Sequence, residues 1–422
     1  MEVIMDRCAG LDVGKKQVQA CVRGPDSGGV RRSEVRTFDT FTGDLEALAR
    51  WMTGEGVTQV AMEATGPYWW PVWHVLEDAG FELLLVNSRH VKILPGRKTD
   101  VGDAAWLAEL LEHGLLRGSF VPPERVRRLR DLTRYRKKLI QTHTGECQRI
   151  QKNLENAGIK LDSVASDVLG VSGRAMLRAL LAGERDPEVL ADLAKGVLRR
   201  KIPELQRALE GRFAEHHGIL IGIILDHIEH LEASIAALDA QIDVVIDEPG
   251  VDDQDEAVPF AKARDRLDTV PGVGKRAAEV IIAEIGVDMS RFPTAGHLAS
   301  WAGMCPGNNV TGGKNRSGRT TKGNVWLRDV LVQCAWSAAR TRDTYLSAQF
   351  WRLARRIGKK KAAMAVGHSI LVAAWHILAH DVDYHDLGAD WFARNINDDR
   401  SRDQAIRRLH DLGYRVTLER VA

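Results

Sequence analysis

Residues 8 to about 120 alternate short apolar runs with amphipathic stretches. Residues 9–13, 17–23 and 35–38 read as three short strands. Within 44–52, Leu45, Leu48 and Trp51 recur at helical spacing. Residues 57–62 read as a strand, and 68–78 as a helix begun by Pro67. The run FELLLVN at 81–87 is almost continuously apolar, the pattern of a parallel strand buried on both faces. A helix over 103–116 offers Ala105, Leu107, Leu110 and Leu111 for packing. The order β-β-β-α-β-α-β-α predicts a mixed α/β domain compatible with the ribonuclease-H-like fold.

From 121 to about 247 the pattern is entirely helical, with Pro187 and Pro203 marking helix starts or turns. Ile221, Ile224, Ile228, Leu231, Ile235, Leu238, Ile242 and Val245 follow alternating steps of three and four. That spacing predicts a coiled-coil seam, or else a helical hairpin within one chain. The acidic stretch 247–256 reads as a linker. A second, mainly helical domain follows from about 259, and the tail beyond Asp381 is charged, with no role assigned. The predicted domains are 1–122, 123–258, 259–390 and a tail 391–422.

The 422 residues suffice for two or three domains, and 44% hydrophobic with 27% charged residues is an ordinary globular mix. A formal charge of +2 does not mark a nucleic-acid binder, so local clusters must make that case. Cys8, Cys21, Cys147, Cys305 and Cys334 are scattered without a CxxC pair, which favours a reduced, cytoplasmic setting over a zinc site. The N-terminus lacks a signal-peptide run, and no charge-free stretch of membrane-spanning length is expected.

Four acids carry the candidate chemistry. Asp12 lies in GLDVGKK, Glu63 in AMEATGP, and Asp100 and Asp103 share KTDVGDA. Singly, each has a structural reading: a turn residue, a helix-start charge, an N-cap, a first-turn acid. Together they are acids at the ends of two strands and the start of a helix, where a hard cation such as Mg²⁺ finds oxygen ligands. The aromatic PYWWPVW segment reads as core packing, with base stacking by one tryptophan as the alternative. VPGVGKRAAEV resembles a helix-hairpin-helix element, in which Gly272 and Gly274 permit the turn and Lys275 and Arg276 favour nucleic acid. The Gly-rich segment after Trp301 carries hydroxyls among Lys314, Arg316, Arg319, Lys322 and Arg328. It is either a solvated loop or the setting of a phosphate-attacking hydroxyl. Further cations cluster at 125–138 and at Arg352, Arg355, Arg356, Lys359, Lys360 and Lys361. Three such patches suggest a long polyanion.

GLDVGKK, EATGPYWWPVW, KTDVGDA, VPGVGKRAAEVIIAEIG, RFPTAGHLASWAGMCPGNN and SGRTTKGNVWLR resemble the DEDD transposases of insertion sequences, the IS110 family, which includes the pilin-gene invertases. The resemblance implies a RuvC-like N-terminal domain, a helical coiled-coil middle and a helical transposase domain. It implies a DNA recombinase guided by a non-coding bridge RNA that pairs with donor and target DNA. By resemblance, Asp12, Glu63, Asp100 and Asp103 bind one or two Mg²⁺ ions. A hydroxyl of the second domain then forms a covalent link to DNA in a composite site, within a homo-oligomer, dimer or tetramer. Thr311 occupies the position of the family serine, and Ser317 is nearby but out of register. Threonine keeps the hydroxyl, while its β-methyl restricts χ1 and crowds in-line attack.

Two rival readings remain. A metal-dependent, structure-specific endonuclease of the Holliday-junction-resolvase type would use water as the nucleophile. A catalytically impaired relative would bind nucleic acid without reacting.

Overall fold

A computed structural model describes the chain except for residues 1–2, 27, 65, 88–90, 92–101, 250–258, 307–309, 312–313, 316–319, 321, 395–397 and 419–422. It divides into two compact units, Met1–Val121 and Pro122–Ala422.

The first unit runs β1 (Cys8–Val13), β2 (Gln17–Pro25), β3 (Arg31–Asp39), α1 (Thr42–Gly54), β4 (Gln59–Glu63), α2 (Trp69–Asp78), β5 (Glu82–Val86) and α3 (Asp103–Glu112). Its mixed sheet has the order β3-β2-β1-β4-β5. β1, β2 and β3 pair antiparallel, while β4 joins β1, and β5 joins β4, in parallel. Because side chains alternate along a strand, β1 serves two layers. Ala9, Leu11 and Val13 enter a core with Leu45, Leu48, Met52, Val72, Trp73 and Leu76 from α1 and α2. Cys8 and Gly10 face α3 instead. A Cβ on Gly10 would lie 2.3 Å from both the Ala104 carbonyl oxygen and the Ala108 nitrogen. Cys21 of β2 packs on Ala104, Ala105 and Ala108, so a row of small side chains lets the helix settle onto the strands.

The apolar run at 81–87 does form a strand parallel to β4, but at the sheet edge rather than buried on both faces. Of β5, only Leu85 and Val86 are buried.

In the second unit, α4 (Glu124–Asn156) and α5 (Glu215–Asp247) form an antiparallel hairpin. His143 Nε2 lies 3.2 Å from Glu232, and Glu146 pairs with His227 at 3.2 Å. The heptad positions pack within the chain: Ile221, Ile228, Leu231, Ile242 and Val245 are buried, and Ile224, Ile235 and Leu238 are half-buried. Two cores hold the ends of this hairpin. One joins Ile150, Leu154, Ile221 and Leu225 to the short helices between α4 and α5, two of which begin with Pro187 or carry Pro203 in their first turn. The other joins Val126, Leu129, Ile242 and Ile246 to α6 (Phe260–Asp268), α7 (Lys275–Ile285), α8 (Val325–Ala338), α9 (Tyr345–Ile357) and α10 (Lys359–His380).

One expectation about membrane spans is corrected here. α10 is long and apolar enough to cross a membrane by length and composition. Its Ala362, Val366, Ile370, Leu371, Ala374 and Leu378 are instead buried in the second core, the usual reason for an apolar helix in a globular body.

Candidate carboxylate site and nucleic-acid-facing residues

Two of the four acids are brought side by side by strand register. β1 and β4 pair Cys8 with Gln59 and continue in step to Leu11 with Met62. The next position in that ladder sets Asp12 beside Glu63, on one face, at the carboxyl ends of adjacent parallel strands about 4.8 Å apart. Both residues are half-buried. Each lies on the α3 face: Gly10, two before Asp12, is pressed against Ala104, and Ala61, two before Glu63, packs with Leu111.

Asp103 is the first residue of α3, and Gly102 is its N-cap. A Cβ on Gly102 would stand 2.4 Å from Gln19 Oε1, and Gln19 is the β2 partner of Asp12. The start of α3 therefore lies at the Asp12 end of the sheet, and its positive dipole end favours acids there. Asp100 lies outside the described residues. Among the described residues, no three His, Cys, Asp or Glu side chains already stand close enough to hold a cation. The donor chemistry nevertheless suits one: neighbouring carboxylates offer all-oxygen donors, which suit a hard divalent ion. The nearby thiols are no alternative nucleophiles. Burial pushes Cys8 up to about 12 and Cys21 up to about 11, and all five cysteines are free.

The same end of the sheet holds residues that sequence reading passed over. Lys15 and Lys16 are exposed in the β1–β2 turn. Thr40 donates from its backbone to the Lys16 carbonyl at 3.1 Å and from Oγ1 to the Lys15 carbonyl at 3.1 Å. This ties the turn to Phe41, which is 75% exposed. Only the β2–β3 return brings Phe41 there, so no local motif signalled it. The aromatic segment is chiefly core, as expected: Trp69 and Trp73 are buried, and Trp69 stacks on Trp70 with ring centroids 3.9 Å apart. Tyr68 stays exposed.

In the second unit, Thr311 pairs with Lys314 in a short antiparallel ladder, Val310–Thr311 against Lys314–Asn315. Only the backbone of these residues is described; Arg316, Ser317 and Arg319 lie outside the described residues. Lys322 is exposed and Arg328 half-buried, and neither forms an ion pair among the described residues.

The α6–α7 connection is a tight hairpin. Gly272 has φ of 90°, and a Cβ there would lie 2.5 Å from both the Ala338 nitrogen and the Cys334 carbonyl oxygen. The cations that follow are held internally: Lys275 pairs with Asp243 at 3.0 Å, and Arg276 with Asp243 at 2.9 Å, Asp239 at 3.2 Å and buried Glu279 at 2.9 Å.

The 125–138 cluster needs correction as a polyanion patch. Arg125 donates to the carbonyls of Val245 and Ile246 at the end of α5. Arg128 pairs with Glu248, and Lys137 with Asp329. Arg130 donates to the Ala283 and Glu284 carbonyls, and Arg134 grips the wholly buried Glu284 carboxylate with two bonds of 2.8 Å. The acids that neutralise this run come from distant segments, which a local charge count does not see.

Fold and site together define a protein with an α/β domain whose parallel-strand ends carry acids, joined to a mainly helical unit. A family model described as "Transposase" matches residues 9–159, and one described as "Transposase IS116/IS110/IS902 family" matches residues 264–352. A "Probable family 20 transposase" of Pseudomonas aeruginosa is 26% identical over 77% of this chain and 85% of that protein. The "Insertion element IS110 uncharacterized 43.6 kDa protein" of Streptomyces coelicolor is 29% identical over 56% of this chain and 61% of that protein. The Thermus thermophilus RuvC structure is matched over 27% of this chain and 99% of that one, at 14% identity and a TM-score of 0.21, a likeness that decides nothing. The chain belongs to the IS110 family of insertion-sequence transposases.

Proposed function

We infer that the protein cuts and rejoins DNA strands at the ends of its insertion sequence, guided by a bridge RNA, through a RuvC-like DEDD site and a covalent protein–DNA intermediate. The observation that carries this reading is the ladder-adjacent placement of Asp12 and Glu63, with Asp103 opening the helix packed over the same strands. Asp12, Glu63, Asp100 and Asp103 would hold one or two Mg²⁺ ions. When bound, the metal supplies charge neutralisation at the scissile phosphate. The Thr311 hydroxyl attacks phosphorus and loses its proton. A phosphorus–threonine ester forms as the phosphorus–deoxyribose bond breaks, and the leaving deoxyribose oxygen takes up a proton. Attack by the hydroxyl of another strand reverses the ester and joins the DNA without an external energy source. Lys314, Arg316, Arg319, Lys322 and Arg328 are assigned to the phosphate charge, and Lys275 and Arg276 to nucleic-acid binding. Because Asp243 pairs with both, nucleic acid must compete for those two. The active form is a homo-oligomer, a dimer or tetramer, working in the cytoplasm.

The test begins with protein purified from cells carrying its element. A discrete RNA from the element's flank, with loops matching donor and target DNA, is the expected companion. With that RNA and Mg²⁺, element-end DNA should yield an adduct that survives denaturing electrophoresis. Free cut ends without an adduct would favour the water-using endonuclease, and binding without any reaction the impaired relative.

A further inference from the structure

Of the three cationic patches legible in the sequence, the one at the α9–α10 corner pairs with no acid among the described residues. From Thr344 to His380 the chain contains no Asp or Glu. Arg352, Arg355, Arg356, Lys359, Lys360 and Lys361 are all exposed, and none forms an ion pair among the described residues. Gly358, with φ of 82°, is at once the C-cap of α9 and the N-cap of α10, so the corner is sharp and the two groups of cations meet across it. An aromatic ring is fixed among them. Trp351 is 46% exposed, its Nε1 donates to the Ala339 carbonyl at 3.0 Å, and Lys359 Nζ lies 5.6 Å from its ring.

The two halves of this ridge differ electrostatically. Arg355 and Arg356 sit in the last turn of α9, where the helix dipole welcomes cations. Lys359, Lys360 and Lys361 open α10, where the dipole end is already positive and three further cations oppose it. A purely solvated face gains nothing from that arrangement, and folding is weakened by it. A polyanion reverses the sign, because its phosphates meet the lysines, the arginines and the free N–H groups of the α10 first turn together.

We propose that the α9–α10 corner is a docking surface for the phosphodiester backbone of duplex DNA, built from residues other than the four acids and independent of base sequence. It rests on the reading of the protein as a DNA recombinase and adds to it a place where the duplex is gripped. The commitment to DNA follows from the family's action on insertion sequences. The uniform lysine–arginine face contacts backbone rather than base edges.

The full-length protein carrying Lys359→Gln, Lys360→Gln and Lys361→Gln is the test, with a random-sequence duplex DNA as probe. Duplex affinity should fall at least about tenfold, and the slope of log affinity against log salt should shrink by about 2 to 3. The thermal midpoint should hold or rise, because three cations leave a positive helix end. A variant that melts lower without losing affinity would overturn the proposal, as would unchanged affinity and salt slope. So would a lysine-dependent preference for duplex RNA, or for vesicles containing phosphatidylserine, over duplex DNA. If the variant binds and cuts like the parent protein, the ridge fails and the recombinase reading stands. If the parent protein itself neither binds nor cuts DNA, that reading fails instead.

Discussion

Gly10 on β1 and Ala104 on α3 are in backbone contact: a Cβ on Gly10 would lie 2.3 Å from the Ala104 carbonyl oxygen. The obstacle is main chain, which cannot swing aside as a side-chain tip would. Gly10→Ala must therefore push α3 off the strands, at about 3 kcal/mol or more, the upper end of overpacking costs. Asp103 opens that helix, so DNA cleavage should fall as well. Denaturant unfolding and a cleavage assay on the same preparation test both effects. A variant with unchanged midpoint would show that α3 does not pack as described.

Asp12→Asn and Glu63→Gln separate chemistry from folding. The two acids directly follow Leu11 and Met62, the last pair of the β1–β4 ladder, so each substitution lowers the negative charge at one strand end while keeping the side chain's shape. Stability without added metal should hold or rise, while cleavage falls at least about 10²- to 10³-fold, as when one preorganised charge-stabilising group is lost. Mg²⁺ should raise the thermal midpoint of the parent protein and do so less in either variant. A midpoint shift as large in Asp12→Asn as in the parent would remove Asp12 from the metal set.

Much of the first unit was legible because its strands and helices announce themselves by period. Asp12, Glu63 and Asp103 are candidates because each lies at or beside the end of an element: Asp12 one residue before the end of β1, Glu63 at the end of β4 and Asp103 at the start of α3. What the sequence hid is tertiary supply. The 81–87 run looks doubly buried, yet β5 is an edge, since apolar content does not reveal which strand lies last in the order. Arg130 and Arg134 read as polyanion binders until Glu284, far along the chain, is seen between them. The heptad of α5 names a seam but not its partner, and α4 fills it within the chain. Phe41 joins the Lys15–Lys16 turn only through the β2–β3 return, which no local motif encodes.

Two buried glutamates should respond to acid in opposite ways. Burial pushes Glu112 up, but hydrogen bonds from Arg23 and Arg31 outweigh it and hold the carboxyl below its ordinary value. Its stabilisation is present above the unfolded value of about 4.3 and is lost as pH falls through the lower folded value. Glu112→Gln should cost about 3 kcal/mol at neutral pH, as a broken buried pair does, and the deficit should shrink in acid. Glu279 is held above its ordinary value, chiefly by burial, against the pull of Arg276. It weakens folding once pH exceeds its folded value, and the penalty fades as pH falls toward the unfolded value. Arg276 keeps Asp239 and Asp243, so Glu279→Gln should be neutral or stabilising at pH 7. Unfolding midpoints from pH 3 to 8 test both signs; a loss at neutral pH for Glu279→Gln equal to that of Glu112→Gln would refute the distinction.

Thr311 offers the sharpest test of the chemistry. A threonine hydroxyl attacks through a carbon that also bears a methyl, which limits χ1 and crowds the in-line approach. Thr311→Ser keeps the oxygen and removes the methyl, so the rate of covalent DNA attachment should rise, by about tenfold if the methyl costs about 1.4 kcal/mol in the transition state. Thr311→Ala should abolish the adduct while RNA binding persists, because no bridging oxygen remains for the ester. Adduct formed by Thr311→Ala would take that residue out of the mechanism and direct attention to Ser317, where Ser317→Ala then becomes the deciding variant. A Thr311→Ser protein slower than the parent would mean that the methyl seats the hydroxyl rather than obstructs it, and that the substitution is an adaptation of this chain.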